Sequence, residues 1–260
     1  MAKSTTDELL KLLGGKTPAT ADQFKELILQ LDTHNVLAKV FLLEGTPFVF
    51  EHSPMRYVIF KEQVADRFGI GSQDVCIVGS AKLGFSPSPH QYGRPFAETS
   101  DVDVVIISND LFDHGSRELF AWLDQQGPPL HTVRPHLSKH AAKKTDAPVV
   151  PLEIWKVVKE AIRNFKFQNF NPGLLPGSHP LRRDFFDKIA STAGLFLALE
   201  PRVFVSKIRG RVFRTWRAAE DYYTNTLRQV KEAEEGHVDV ESDIDDGEDL
   251  GGKSAGTKGS

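Results

Sequence analysis

Apolar residues recur at helical spacing in some stretches of the chain and form short unbroken runs in others. Residues 7–13, D-E-L-L-K-L-L, predict a short amphipathic helix ended by Gly14-Gly15. Pro18 to Leu31 predicts a second, with Phe24, Leu27, Ile28 and Leu31 on one face. The two read as a packing or dimer-forming arm. Val36 to Phe50 predicts a hairpin that turns at Glu44-Gly45 or Gly45-Thr46. Ser53-Pro54 opens a helix from about Met55 to Phe68, stopped by Gly69 or Gly71. Val75 to Val78 predicts a strand. Further on, Arg117 to Gln126, Leu152 to Phe165, Leu181 to Ala193 and Trp216 to Val230 predict helices. Asn171 to Pro180 is a turn-rich connector, and Arg202–Ile208 and Arg211–Phe213 predict two strands around Arg209-Gly210. No internal repeat is visible.

The span from Cys76 to Ser108 organises the rest. It reads C-I-V-G-S-A-K-L-G-F-S, a Pro/Gly-rich interruption, then E-T-S-D-V-D-V-V-I-I-S. The order is strand, tight turn, helix start, loop, strand. Asp101 and Asp103 are two apart on the second strand, so their carboxylates share a face. Val102 and Val104 to Ile107 are apolar on both faces, as in a buried sheet. Adjacent carboxylates on a mostly buried strand repel each other and resist desolvation. A bound divalent cation relieves both costs. Gly79-Ser80 ends the first strand, where glycine admits close ligand approach and helix-start N–H groups hold phosphate.

Composition narrows the class. The chain has 260 residues, 40% hydrophobic and 26% charged, which is ordinary for a globular protein. Its net charge of −3 is uneven, because the acidic end leaves a basic body. A single cysteine excludes a disulfide framework and a cysteine-rich zinc site. No run of about twenty apolar residues occurs, so no membrane insertion is expected. The first residues lack the apolar core of a secretory signal, and a cytoplasmic location is expected. From Glu232 the composition turns acidic and then Gly/Ser/Lys-rich, so residues 232–260 are expected to be disordered.

Strand-Gly-Ser-helix followed by strand-Asp-x-Asp resembles the active-site signature of the DNA polymerase β-like nucleotidyltransferase superfamily, over residues 75–107. The long form, G-S-A-K-L-G-F-S…S-D-V-D-V, is similar to a bacterial phage-defence and toxin-like subgroup that includes the Hailong-type nucleotidyltransferase. P-F-V-F and G-R-V-F-R-T-W-R-A-A-E-D-Y-Y resemble the same subgroup more loosely. The resemblance implies a nucleotidyltransferase core with a small mixed sheet, and together with the surrounding helices and the disordered C-terminal tail read from composition the expected fold is α+β. Its organisation would be a helical arm at 1–34, the transferase domain at 35–231 and the tail at 232–260.

It implies further that Asp101 and Asp103 are catalytic and bind two Mg²⁺ ions, with Mn²⁺ as a substitute. Gly79, Ser80 and Lys82 would bind the triphosphate of an NTP or dNTP such as ATP. The product would be an oligonucleotide or nucleotide signal in antiviral defence, with single-stranded nucleic acid and a nearby-encoded effector protein as partners. A toxin-like transferase acting on tRNA or protein, and a non-catalytic nucleotide-binding partner or antitoxin, are the alternatives. Members usually carry a third carboxylate on a later strand, and R-V-F-V-S-K-I has none. Glu153 is the substitute if its segment is extended; in a helix it is an ordinary first-turn acid.

Other residues carry two readings each. Lys82 either touches phosphate or is an exposed lysine. Arg209, Arg211, Arg214 and Arg217, with Arg182-Arg183 and Lys139, Lys143 and Lys144, form either a nucleotide surface with Phe213 and Trp216 or a solvated basic face. Trp122, Trp155 and Trp216 read as core anchors, and Asp184 and Asp187 as surface acids. His131, His136 and His140 lack a completing ligand. The tail reads as solubilising, as a cover over the basic cleft, or as a source of an acceptor hydroxyl from Ser254, Thr257 or Ser260.

Overall fold

The computed structural model describes residues 20–126, 152–200 and 207–236. The described residues are built on a mixed four-stranded sheet in the order β1-β2-β4-β3. The strands are β1 (Val75–Val78), β2 (Asp101–Ile107), β3 (Asn169–Phe170) and β4 (Lys207–Phe213). β1 runs antiparallel to β2, with Val78 opposite Asp103. β2 runs parallel to β4, with Asp101 opposite Lys207 and Asp103 opposite Arg209. β3 closes the far edge antiparallel to β4. Thus β1 ends where β2 and β4 begin, and that end of the sheet carries the polar residues.

Helices cover both faces. The helices are α1 (Ala21–Gln30), α2 (His34–Leu37), α3 (Pro54–Phe68), α4 (Ser80–Leu83), α5 (Asn109–Gln125), α6 (Leu152–Lys166), α7 (Pro180–Leu199) and α8 (Trp216–Glu234). One face presents Val75, Ile77, Val102, Val104, Ile106, Ile208 and Val212 to α3, α5, α6 and α7. The other presents Cys76, Val78, Val105, Ile107 and Phe213 to α1, α2 and α8. Burial from both sides explains why β1 and most of β2 read as unbroken apolar runs. None of the described helices is long and apolar enough to cross a membrane.

Several elements follow their local signals. In α1, Thr20 caps the N-terminus by accepting from the Gln23 N–H, and Phe24, Leu27 and Ile28 are buried as their spacing requires. α3 begins at Pro54 and ends at Gly69, whose φ of +66° gives the left-handed C-terminal turn. Asp184 and Asp187 lie on the exposed side of α7. Trp122 and Trp155 pack against one core and Trp216 against the other.

Others differ. The expected hairpin over Val36–Phe50 is helical: α2 runs into a π-helical turn at Ala38–Leu43, and a 3₁₀ turn follows at Phe48–Phe50. Leu37, Ala38, Phe41 and Leu42 are buried while Lys39 and Val40 are exposed. That is helical spacing, which a short apolar run conceals. The helix expected to start at Arg117 begins at Asn109, because Ser108 accepts from the Leu111 N–H and fixes the start there. α7 continues six residues beyond Ala193, to Leu199, and α8 reaches Glu234, past the expected onset of the tail at 232. The remainder of that tail, 237–260, the 7–13 helix, His131, His136, His140, Lys139, Lys143 and Lys144 lie outside the described residues.

Of the two strands expected around Arg209-Gly210, residues 202–206 lie outside the described residues; the described part is one strand, Lys207–Phe213, and Gly210 is not a turn. A Cβ there would lie 2.8 Å from Ile189 Cδ1 and from the Phe185 ring, so the missing side chain lets α7 press against β4. Gly210→Ala therefore overpacks this contact. It is expected to lower stability by about 1–3 kcal/mol, read as a shift in the denaturant midpoint of the full chain.

Candidate active site

A cleft of about 640 Å³ opens at the polar end of the sheet. Gly79 and Ser80 from β1–α4, Asp101 and Asp103 from β2, and Lys207, Arg209 and Arg211 from β4 line its floor. α6, the Phe167 that follows it, and α7 form one wall, through Lys156, Glu160, Arg163, Phe167, Arg182 and Phe186. The opposite wall is α8, through Tyr222, Tyr223, Asn225, Thr226 and Gln229, with the 86–95 loop beside it. Among the described lining residues, seven lysines and arginines face three carboxylates, so the cleft favours anions.

The carboxylate pair is placed as its spacing requires. Asp101 and Asp103 are half-buried on one face of β2, and the neighbours between and beyond them are buried. Asp103 lies beside the β1 turn: a Cβ on Gly79 would be 3.0 Å from Asp103 Oδ2. Gly79 also has φ +68° and ψ −147°, a region closed to other residues. Both constraints demand glycine. α4 is a single turn, so any phosphate held here depends on its free N–H groups and the Ser80 hydroxyl more than on a helix dipole.

Asp101 Oδ2 accepts from Arg209 Nη2 at 2.6 Å, an ion pair with both side chains partly exposed. On β4 the residues paired with Asp101, Asp103 and Val105 are Lys207, Arg209 and Arg211. The strand beside the acidic pair is therefore basic, and Glu153 does not replace a strand carboxylate, since it stands in the first turn of α6. The third carboxylate lining the cleft is Glu160, on the α6 wall. Among the described residues no cluster of three or more His, Cys, Asp or Glu side chains is arranged to hold a metal ion. Two carboxylates on one strand face fit a different kind of site. Magnesium takes one or two carboxylates, keeps waters and draws its remaining oxygens from phosphates.

Lys82 is not brought to the cleft. Its side chain is buried, and its ammonium donates to the carbonyls of Glu44 and Gly45, at 2.9 Å for the latter. It ties α4 to the loop after the π-helical turn. Burial lowers its pKa to about 8. Burial likewise pushes the neighbouring Cys76 thiol up to about 12. Arg214 is also outside the cleft lining, bonded to Asn109 at 2.7 Å and lying over the Phe112 ring. Arg217 pairs with Asp221 in solvent. Phe213 is fully buried, and Trp216 donates to Asp74 at 3.3 Å, so neither offers a face to the cleft.

Several residues of the site were missed in the sequence. The 86–95 segment, an interruption in the sequence, folds as a narrow hairpin-like loop. The Ser86 N–H donates to Arg94 O at 2.8 Å and the Gly93 N–H to Ser86 O at 3.0 Å. Tyr92 anchors it to α1 by donating to Ala21 O at 2.9 Å. On α8, Tyr222, Asn225, Thr226 and Gln229 follow helical spacing, a polar stripe that was readable as a second functional face. Arg211 lies over the Tyr222 ring, 5.0 Å from its centre. Burial raises the pKa of Tyr223 well above its ordinary value and keeps the phenol neutral.

No family model, no curated protein and no solved structure matches this chain.

Two tests follow from this geometry. Gly79→Ala is expected to cost about 1–3 kcal/mol of stability from the forced backbone and the crowding of Asp103, measured by denaturant unfolding. For Lys82, the folded value near 8 lies below the ordinary 10.5. Between these values the unfolded chain holds the proton that the folded chain has released, so unfolding free energy rises with pH. The cost of burying the charge is complete below the folded value and vanishes above the unfolded one. Relative to Lys82→Met, which retains Cys76, the wild type should gain about 2 kcal/mol from about pH 7 to about pH 10, read from paired unfolding curves.

Proposed function

We propose that the chain is a Mg²⁺-dependent nucleotidyltransferase that moves a nucleoside monophosphate from a nucleoside triphosphate to a hydroxyl and releases pyrophosphate. The observation that carries this is the convergence of the Gly79-Ser80 turn and the Asp101/Asp103 pair on the floor of one basic cleft. Asp101 and Asp103 would hold magnesium, which when bound supplies charge for the triphosphate and lowers the pKa of the acceptor hydroxyl. Ser80 donates its hydroxyl to a phosphate oxygen. Arg209 and Arg211 counter the remaining phosphate charge with planar, multidentate donors. Tyr222 packs against Arg211 and helps hold that guanidinium in the cleft, and the Asn225 and Gln229 amides offer a base donors and acceptors.

One observation favours a second reading, a nucleotide-binding module without turnover. The acidic pair has basic β4 for its neighbour, and Asp101 is already engaged by Arg209. Such a cleft binds polyphosphate by the same cations while lacking a complete set of carboxylates.

Incubating the full chain with each common α-³²P-labelled NTP and dNTP, in Mg²⁺ or Mn²⁺, separates the two. Transfer puts label into a ladder, a small cyclic or linear product, added tRNA, or protein, and the position of the label identifies the acceptor. Asp101→Asn with Asp103→Asn should reduce it by at least about a hundredfold. Retained nucleotide binding with no labelled product under any metal would leave the binding module as the function.

A further inference from the structure

The ion pair between Asp101 and Arg209 joins two features that the proposed reaction would use separately. Asp101 is a ligand for a dication, and Arg209 is a ligand for phosphate. They are held together by the sheet. β2 and β4 run parallel with Asp103 opposite Arg209, and the arginine reaches along the strand to Asp101, where Nη2 and Oδ2 are 2.6 Å apart. The pair lies on the cleft floor, with the two side chains 20% and 29% exposed. Screening there is weaker than at an open surface.

A guanidinium at this distance occupies lone pairs of the carboxylate oxygen and places a positive charge where a dication would bind. The two cannot share Asp101 without repulsion. A phosphate changes the balance, because the arginine fork matches phosphate oxygens as well as carboxylate oxygens. We infer that Arg209 is a gate on Asp101: without nucleotide it holds the carboxylate against free divalent cations, and an incoming triphosphate draws it away and frees Asp101 for the cation that arrives with the substrate. Arg209 is a positioning residue in this scheme when it acts through Asp101, and a binding residue once it transfers to phosphate.

The gate makes cation and nucleotide binding mutually supportive, since each favours the arrangement in which Arg209 has left Asp101. It also gives the basic strand beside the acidic pair a role. The inference rests on the reading of Asp101 and Asp103 as cation ligands.

The test measures two affinities of the intact chain separately. Mn²⁺ alone is titrated and followed by electron paramagnetic resonance, and a non-hydrolysable nucleoside triphosphate analogue is titrated in EDTA by calorimetry. Wild type, Arg209→Gln, Arg209→Lys and the Asp101→Asn/Asp103→Asn double variant are compared, each checked for its melting transition. Arg209→Gln should bind Mn²⁺ roughly three- to tenfold more tightly than wild type and the metal-free analogue roughly three- to tenfold more weakly. Arg209→Lys, which keeps the charge without the fork, should fall between in both and carries the test if the glutamine variant does not fold. A general loss of structure would weaken both affinities, so the opposite signs exclude unfolding as their cause, and tighter Mn²⁺ binding than wild type by Arg209→Lys, which keeps the charge, separates the gate from simple charge removal. Unchanged or weaker Mn²⁺ binding by Arg209→Gln, with binding still abolished in the double variant, overturns the gate and leaves the cation site standing. Mn²⁺ binding by the double variant equal to wild type overturns the cation site and the gate together.

Discussion

Parallel pairing of β2 with β4 is the constraint on which the site depends. It sets a strand that begins Asp-Val-Asp beside one that begins Lys-Ile-Arg-Gly-Arg, in register and with like-facing side chains. Carboxylates on a strand whose remaining residues are buried need nearby positive charge, and the neighbouring strand supplies it at hydrogen-bond distance. The same register leaves the cations on the cleft floor beside the acidic pair. Charge balance within the sheet and a positive potential on the cleft floor therefore come from one arrangement.

The rest of the architecture keeps that end of the sheet open and the other faces closed. Gly210 admits α7 against β4, and Gly79 admits the β1 turn against Asp103. Lys82 fastens α4 to the loop at Glu44–Gly45, at the expense of burying an ammonium. The two glycines line the cleft itself, whereas the Lys82 contact lies outside its lining. The walls come from chain segments far apart in sequence: α6 and α7 on one side, α8 and the 86–95 loop on the other. Tyr92 links that loop to α1, so the N-terminal helix contributes to the shape of the cleft without lining it.

Much of the floor was legible from local pattern. The period of two fixes Asp101 and Asp103 on one face, and the Gly-Ser pair after an apolar run fixes a turn. Helices with strong caps or periodic faces, α1 and α3 among them, were legible for the same reason. The apolar run of α2 and its π-helical turn was ambiguous, because a strand buried on both sides and a buried helix present similar short sequences. Ser108 is an N-cap that apolar periodicity alone does not reveal, so α5 begins at Asn109, ahead of the Arg117 expected from its pattern. At Arg209-Gly210, a glycine that reads as a turn in isolation is a strand residue because a helix needs the space above it.

The sequence by itself determined which side chains share a face, which segments can form amphipathic helices, and that two carboxylates need a compensating charge. These are properties of neighbours along the chain, set by backbone geometry. Only the tertiary structure decided what supplies that charge: Arg209, more than a hundred residues downstream of Asp101, through a strand register that no local pattern specifies. It also turned Lys82 away from the cleft and brought Tyr222, Glu160 and the 86–95 loop to it, because long-range packing selects among faces that are equally polar in the sequence.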